Sequence, residues 1–239
     1  PVQQQKMLDE VKAMVLEYKD EPYVLAWCLG NENIYGVGNN SHPSPAPFAT
    51  LLPPACKLIH RLDPDHPVVY ANGDLSYLDE FVRQTPDLDI LGCNVYRGKE
   101  GAGDLYERVA REYGKPVLIT EFGAPAFNNA VHGEDQDAQA EYIAGNLEDM
   151  AYNRFGGMGA GNALGGFVFE WQDEWWKSGS ADPVDKHDMG PGQAAGPFID
   201  GMFHEEWFGI TSQGNGFDSP NMRQLRKAYY TIQKYWRDR

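Results

Sequence analysis

Basic residues, cysteines and long apolar runs are all scarce in this sequence. The 239 residues include 20 Lys and Arg against 35 Asp and Glu, a formal net charge of −15. The basic residues are scattered along the chain, so nucleic acids and anionic membranes are not expected partners, because both are bound through clustered positive charge. No apolar run approaches the roughly 20 residues that a membrane-spanning helix needs.

The three cysteines, Cys28, Cys56 and Cys93, are odd in number and do not suggest a disulfide framework. Two of them lie inside apolar, strand-like stretches, and we interpret all three as buried free thiols. Aromatic residues, by contrast, make up 13% of the chain. Most are expected in the core, but their number also suits an aromatic-lined cleft.

Apolar periodicity predicts helices and strands in alternation, which is typical of a parallel α/β architecture. The predicted helices cover residues 3–19, 49–62, 75–84, 104–113, 135–153 and 221–236, and the predicted strands 23–29, 67–71, 89–95, 116–121 and 166–171. An eight-stranded (β/α)8 barrel takes about 250 residues, and only five units are visible. We expect about three amino-terminal units to be missing, which would make the chain a piece of a longer protein; the alternative is a sheet completed by another pairing.

The prediction for domains is one catalytic domain over 1–239, with a Gly-, Pro- and Asp-rich loop at 177–204 that is functional or mobile. Four potential calcium ligands in this loop follow no recognisable metal-binding spacing, and a solvated acidic loop is the better interpretation; they are Asp182, Asp185, His187 and Asp188. No metal site and no cofactor are predicted.

Two glutamates stand at predicted strand ends: Glu32 follows Leu-Gly-Asn, and Glu121 precedes Phe-Gly. Each alone could be a solvated acid, but parallel strands bring their carboxyl ends to one rim. Hydrolysis of a glycoside with retention needs two carboxyl groups about 5 Å apart, one an acid/base and one a nucleophile. Asn31 could hold a sugar hydroxyl, and Tyr96 could donate its phenol to Glu121 and keep it ionised.

The motifs around these residues resemble the fourth, sixth, seventh and eighth strand motifs of clan A glycoside hydrolases, and are most similar to family 2. They are Trp27-Cys28-Leu29-Gly30-Asn31-Glu32, Asn94-Val95-Tyr96, Thr120-Glu121-Phe122-Gly123 and the segment 165–174. The resemblance implies a TIM barrel with Glu32 as acid/base and Glu121 as nucleophile. The implied substrate-binding residues are Asn31, Asn94, Tyr96, Trp171, Asp173 and Glu174, with Trp171 either an aromatic wall of the innermost subsite or a plug of the barrel mouth.

These 239 residues depart from the family 2 pattern, because they show no counterpart of the jelly-roll and immunoglobulin-like domains or of the first three barrel strands. The Asn-x-Lys with which glucuronidases bind the sugar carboxylate is not evident either, and Glu205-Glu206-Trp207-Phe208-Gly209 occupies that neighbourhood. The expected partner is therefore a neutral oligo- or polysaccharide. Compartment and oligomeric state stay open.

Three functions remain open at this point. The first is a retaining β-glycoside hydrolase, and the second is a transglycosylase that uses the same glutamates. Loop aromatics could serve an extended glucan or simply cover the core; they are Trp175, Trp176, Phe203, Trp207 and Phe208. The third is a non-catalytic carbohydrate-binding remnant, which would have no need for two opposed carboxylates.

Overall fold

The computed structural model describes residues 2–35, 50–174, 177, 193–194, 196–213 and 223–238. The chain divides into two compact units. Unit 1 comprises Pro1–Asn94, Asp104–Thr120 and Asn162–Leu164, and unit 2 comprises Val95–Gly103, Glu121–Gly161 and Gly165–Arg239. The expectation of one catalytic domain over 1–239 stays a prediction.

Helices alternate along the chain with the five strands of the main sheet, as predicted, and six short strands that were not predicted form three further pairs. The helices are α1 (Val2–Tyr18), α2 (Leu52–Leu62), α3 (Leu78–Gln84), α4 (Leu105–Glu112), α5 (Gln136–Asn153) and α6 (Lys227–Arg237), with short 3-10 helices at Asn33–Tyr35 and Glu205–Trp207. The strands are β1 (Trp27–Asn31), β2 (Val68–Gly73), β3 (Ile90–Asn94), β4 (Val117–Phe122), β5 (Phe127–Asn128), β6 (Gly133–Glu134), β7 (Ala163–Val168), β8 (Gln193–Ala194), β9 (Met202–Phe203), β10 (Thr211–Ser212) and β11 (Gln224–Leu225).

Five of these strands form the main sheet, in the order β1-β2-β3-β4-β7. β1 pairs with β2, and β2 with β3, in parallel, so that Gly73 lies opposite Asn94. β2 is buried along its whole length, which explains its continuous apolar sequence. A β-carbon at Gly92 in β3 would lie 2.7 Å from the Tyr70 carbonyl oxygen and 2.8 Å from the Thr120 methyl carbon. Glycine therefore allows this close approach beside the strand ends.

The first predicted strand is displaced from the observed one. Sequence periodicity placed it at 23–29, but β1 covers Trp27–Asn31, and the side chains of Tyr23 and Leu25 are 71% and 68% exposed. The prediction of three buried thiols is wrong for Cys28, which is exposed, while Cys56 and Cys93 are buried. Among the described strands, β1 pairs with β2 alone, so it lacks the cover that a central strand receives.

Unit 2 packs around α5, the longest described helix. Asp135 caps its amino terminus by accepting a hydrogen bond from the Ala138 N–H at 3.1 Å, which satisfies one of the free donors of the first turn. Within the helix, a β-carbon at Gly145 would lie 1.7 Å from the Lys99 carbonyl oxygen. Only glycine at this position allows the segment 95–103 to approach α5 so closely. That segment carries Tyr96 of the candidate site.

Among the described residues, no helix combines the length and the apolar character that crossing a membrane requires.

Candidate active site

The backbone at the end of β1 turns sharply at Glu32. The pairing of β1 with β2 is irregular between Cys28 and Asn31, and Glu32 itself adopts a left-handed conformation with φ 49°. Its N–H donates to the Ala71 carbonyl at 2.9 Å. Left-handed non-glycine residues are uncommon and concentrate at functional sites, where the surroundings hold them in place.

The Glu32 side chain is oriented by the Asn94 amide. The Asn94 Nδ2 group donates to Glu32 Oε1 at 3.0 Å and to Asn31 Oδ1 at 3.0 Å, while Asn94 Oδ1 accepts from Thr120 Oγ1 at 2.7 Å. Asn94 is 3% exposed, and its amide orients Glu32 and Asn31, while the sugar contact that the sequence predicts for it stays a prediction. Thr120 was missed as a site residue, although it precedes Glu121 in the same motif.

In unit 2, Glu121 has the phenol partner that the sequence predicted. Tyr96 Oη donates to Glu121 Oε2 at 2.9 Å. The Val95 N–H also donates to the Glu121 carbonyl at 2.8 Å. The segment that carries Tyr96 is therefore attached to Glu121 through both its backbone and its side chain.

Four phenylalanine rings surround the Tyr96 ring. Their centroids lie 5.8 to 6.4 Å from it, mostly in edge-to-face geometry; they belong to Phe169, Phe198, Phe203 and Phe208. Phe208 is fully buried and Phe198 nearly so, and edge-to-face contacts of this kind stabilise a ring beyond simple burial. We call this group the Tyr96 cage. Of the loop aromatics that could contact a glucan or cover the core, Phe208 is buried within this cage and Trp207 is buried against Phe127. Their burial favours a role in covering the core. Trp175 and Trp176 lie outside the described residues.

Trp171 lies apart from this cage. Its ring is 58% exposed, contacts Tyr229 of α6 at 6.0 Å, and lines a groove of about 560 Å³ along that helix. The ring beside Tyr96 at the end of β7 is instead that of Phe169, two residues earlier. Residues i and i+2 share one face of a strand, so the sequence alone does not show whether Phe169 or Trp171 lies beside Tyr96.

Asp173 is not available as a sugar contact, which corrects the sequence prediction. It is fully buried and forms a bidentate ion pair with the equally buried Arg226, at 2.5 and 2.7 Å. Asp173 also accepts from the Gly209 N–H at 3.0 Å, and Arg226 reaches Glu134 at 2.9 Å. Its two oxygens therefore join the loop after β7 to the start of α6.

Glu174, also a predicted sugar contact, belongs to a small charged cluster with Glu170, Lys177 and Glu205. Lys177 Nζ lies 2.7 Å from Glu174 Oε2 and 2.7 Å from Glu205 Oε1, and it stands 5.0 Å from the centroid of the Phe169 ring. Burial, followed by the neighbouring Glu174 carboxylate, raises the pKa of Glu170 to about 9. Glu170 is therefore a neutral carboxylic acid near pH 7.

Metal ligands do not gather in the part of the chain that the structure describes: no three His, Cys, Asp or Glu side chains there could hold one ion. Asp182, Asp185, His187 and Asp188, the potential calcium ligands, lie outside it.

A family model for the TIM barrel domain of glycosyl hydrolases family 2 matches residues 1–153. This match covers more than half of the chain, so the chain belongs to family 2. The parallel α/β architecture described above is the one that this domain requires. No curated protein matches the chain with significant sequence similarity.

Solved structures of a family 2 β-galacturonidase and of β-glucuronidases share the fold. A β-galacturonidase from Eisenbergiella tayi bound to galacturonate superposes with a TM-score of 0.61 at 19% identity, covering 100% of this chain and 37% of its own. A β-D-glucuronidase of Dictyoglomus thermophilum superposes with a TM-score of 0.56 at 15% identity, covering 99% of this chain and 36% of its own. β-Glucuronidase 2 of Bacteroides uniformis, covalently bound to cyclophellitol-6-carboxylate aziridine, superposes with a TM-score of 0.61 at 16% identity, covering 99% of this chain and 26% of its own. The chain thus spans about a third of these proteins or less.

Proposed function

We propose that this chain carries the catalytic carboxyl groups of a retaining β-glycosidase that acts on a neutral oligo- or polysaccharide. Glu121 is the nucleophile and Glu32 the general acid/base. The observation that carries the proposal is the hydrogen bond from Tyr96 to Glu121 at 2.9 Å, held by the Tyr96 cage. A structural acid at a strand end would not need a donor fixed by four aromatic rings.

The nucleophile must be ionised and correctly aimed when it attacks the anomeric carbon. A phenol hydrogen bond stabilises the ionised carboxylate, and a ring fixed on several sides keeps that donor in place, which is the preorganisation that catalysis favours. Attack forms a glycosyl ester on Glu121 as the bond to the leaving oxygen breaks. Water then releases the sugar from Glu121.

The acid/base must deliver a proton to the leaving oxygen and later take one from water. Glu32 keeps one carboxylate oxygen, Oε1, on the Asn94 amide, which fixes its orientation. Its left-handed backbone supports the same conclusion, because such conformations are retained where function requires a particular side-chain direction. Asn31, exposed and bonded to the same amide, is the proposed contact for a sugar hydroxyl.

A second proposal concerns the strands that complete the barrel. Among the described strands, β1 and β7 end the sheet, and Leu164 and Phe167 on β7 are 55% and 54% exposed. A (β/α)8 barrel has no sheet edges. We propose that additional βα units, about three as expected from the sequence, close the barrel.

The test is turnover of aryl β-glycosides by the full-length protein, with its barrel complete. The panel contains glucoside, galactoside, mannoside, glucuronide and galacturonide, and proton NMR identifies the first-formed anomer. A 2-deoxy-2-fluoro glycoside then traps the intermediate for peptide mapping. We expect retention, a label on Glu121, and loss of turnover in Glu121→Gln, whereas Glu148→Gln, an exposed residue of α5, behaves like the wild type.

The role of Glu32 as acid/base has a separate kinetic test. Glu32→Gln should retain most activity toward dinitrophenyl glycosides, whose leaving group needs no proton, and should regain activity with azide, which needs no base. Inversion, or a label on another carboxylate, would contradict the proposal. Binding of sugars without turnover or label would favour the non-catalytic alternative, and glycosyl transfer to an added sugar in preference to water would identify a transglycosylase.

A further inference from the structure

Lys177 is a cation beside the Tyr96 cage whose charge is compensated by two carboxylates. Its ammonium lies 5.0 Å from the Phe169 centroid, and Phe169 stands edge-on to Tyr96 at 6.4 Å. An unpaired ammonium at this position, separated from Tyr96 by the Phe169 ring, would attract an anionic group on the sugar. In this chain, however, Glu174 and Glu205 both approach it at 2.7 Å.

The charges of the cluster do not cancel evenly. Lys177 contributes one positive charge, Glu174 and Glu205 contribute two negative charges, and Glu170 is neutral near pH 7. The cluster therefore carries a net charge of −1. A carboxylate brought close to it meets repulsion and finds the ammonium already ion-paired with two carboxylates, while a neutral hydroxymethyl group meets neither cost.

We propose that Glu174 and Glu205 are specificity-determining residues, which neutralise Lys177 and make the site reject glycosides of uronic acids in favour of neutral ones. This inference rests on the proposed function and names the residues that set its substrate class. It also separates this chain from the galacturonidase and glucuronidases whose fold it shares. Like-charge rejection of this kind is worth about tenfold or more in kcat/KM.

The experiment compares the ratio of kcat/KM for aryl uronides to that for the matching neutral glycosides at pH 6.5. The reference is the full chain carrying Glu170→Gln, which keeps the cluster's charge and prevents Glu170 from replacing a removed carboxylate. Glu174→Gln and Glu205→Gln are added together, and Lys177→Gln is then added to that variant. Glu141→Gln, which breaks the exposed pair with Lys99, serves as the control.

We expect the reference to prefer neutral glycosides, the two Gln replacements to raise the uronide ratio at least tenfold, and Lys177→Gln to abolish that gain. The Glu141 variant should keep the reference ratio. A reference that prefers uronides would overturn the inference together with the neutral substrate class of the proposed function, and a ratio unmoved by removing both carboxylates would overturn the inference alone. Either outcome leaves Glu121 as nucleophile and Glu32 as acid/base. Absence of turnover on every glycoside would instead remove the proposed function, and this inference with it.

Discussion

Replacement of Glu170 by Gln should stabilise the protein, and increasingly so as the pH rises. The pKa of Glu170 is raised from 4.5 to about 9 by burial and by the Glu174 carboxylate. Between these values the unfolded chain is ionised while the folded protein keeps the proton. Folding then takes up a proton, so the free energy of unfolding falls as the pH rises through this window. Glutamine never ionises and lacks this loss.

The size of the effect follows from linkage. For a fully shielded group, the loss between pH 5 and pH 8 would be about 4 kcal/mol, because each pH unit contributes about 1.4 kcal/mol. Glu170 is only partly buried, and water weakens the interactions of such a group. We therefore expect about 1–2 kcal/mol of extra stability for Glu170→Gln at pH 8 and almost none at pH 4.5.

Urea unfolding followed by tryptophan fluorescence measures this difference. Wild type and Glu170→Gln are compared at pH 4.5, 6.5 and 8, and other titrating groups cancel because only the difference between the two proteins is used. Glu148→Gln, at an exposed site of α5, should show no such trend. A difference that stays constant over this range would mean that Glu170 ionises normally, and the reasoning from burial and Glu174 would be refuted.

Three further predictions concern the site and its supports. Tyr96→Phe should lower kcat about 100-fold and shift the acidic limb of the pH–rate profile upward, because Glu121 loses its donor; an unchanged profile would count against the proposed role. Phe208→Leu should destabilise by about 1–3 kcal/mol and lower kcat less than Tyr96→Phe, as urea titration and steady-state kinetics will show. Asp173→Asn should destabilise by about 3 kcal/mol, because the buried Arg226 loses its bidentate carboxylate and keeps the partly exposed Glu134, whereas Asp173→Asn with Arg226→Met should recover much of that loss in the same titration.

Strands with buried faces could be predicted closely from the sequence. β3 was expected at 89–95 and covers Ile90–Asn94, and β4 was expected at 116–121 and covers Val117–Phe122. A strand covered on both faces needs an unbroken apolar run, and few other structures share that pattern. The contact of Tyr96 with Glu121 was predictable for a related reason, since both residues lie at the ends of sequence-adjacent strands.

The environment of each loop acid could not be predicted in this way. Asp173 and Glu174 are neighbours in one polar segment, yet the first is fully buried against Arg226 and the second is paired with Lys177 at a partly exposed position. The difference depends on Arg226, 53 residues further along the chain, and no periodicity marks such a partner. Phe208 is similar, because only the folded loop brings it to Tyr96.

The buried guanidinium of Arg226 also constrains the order in which unit 2 can assemble. Its carboxylate partners stand 53 and 92 residues away along the chain, so at least one long loop must close before its charge is matched. Until the loop to Asp173 closes, docking α6 would carry a cation without its bidentate partner into the interior, which is strongly unfavourable. We therefore expect the carboxyl-terminal helix to join late and all at once, so that partly docked intermediates stay sparsely populated.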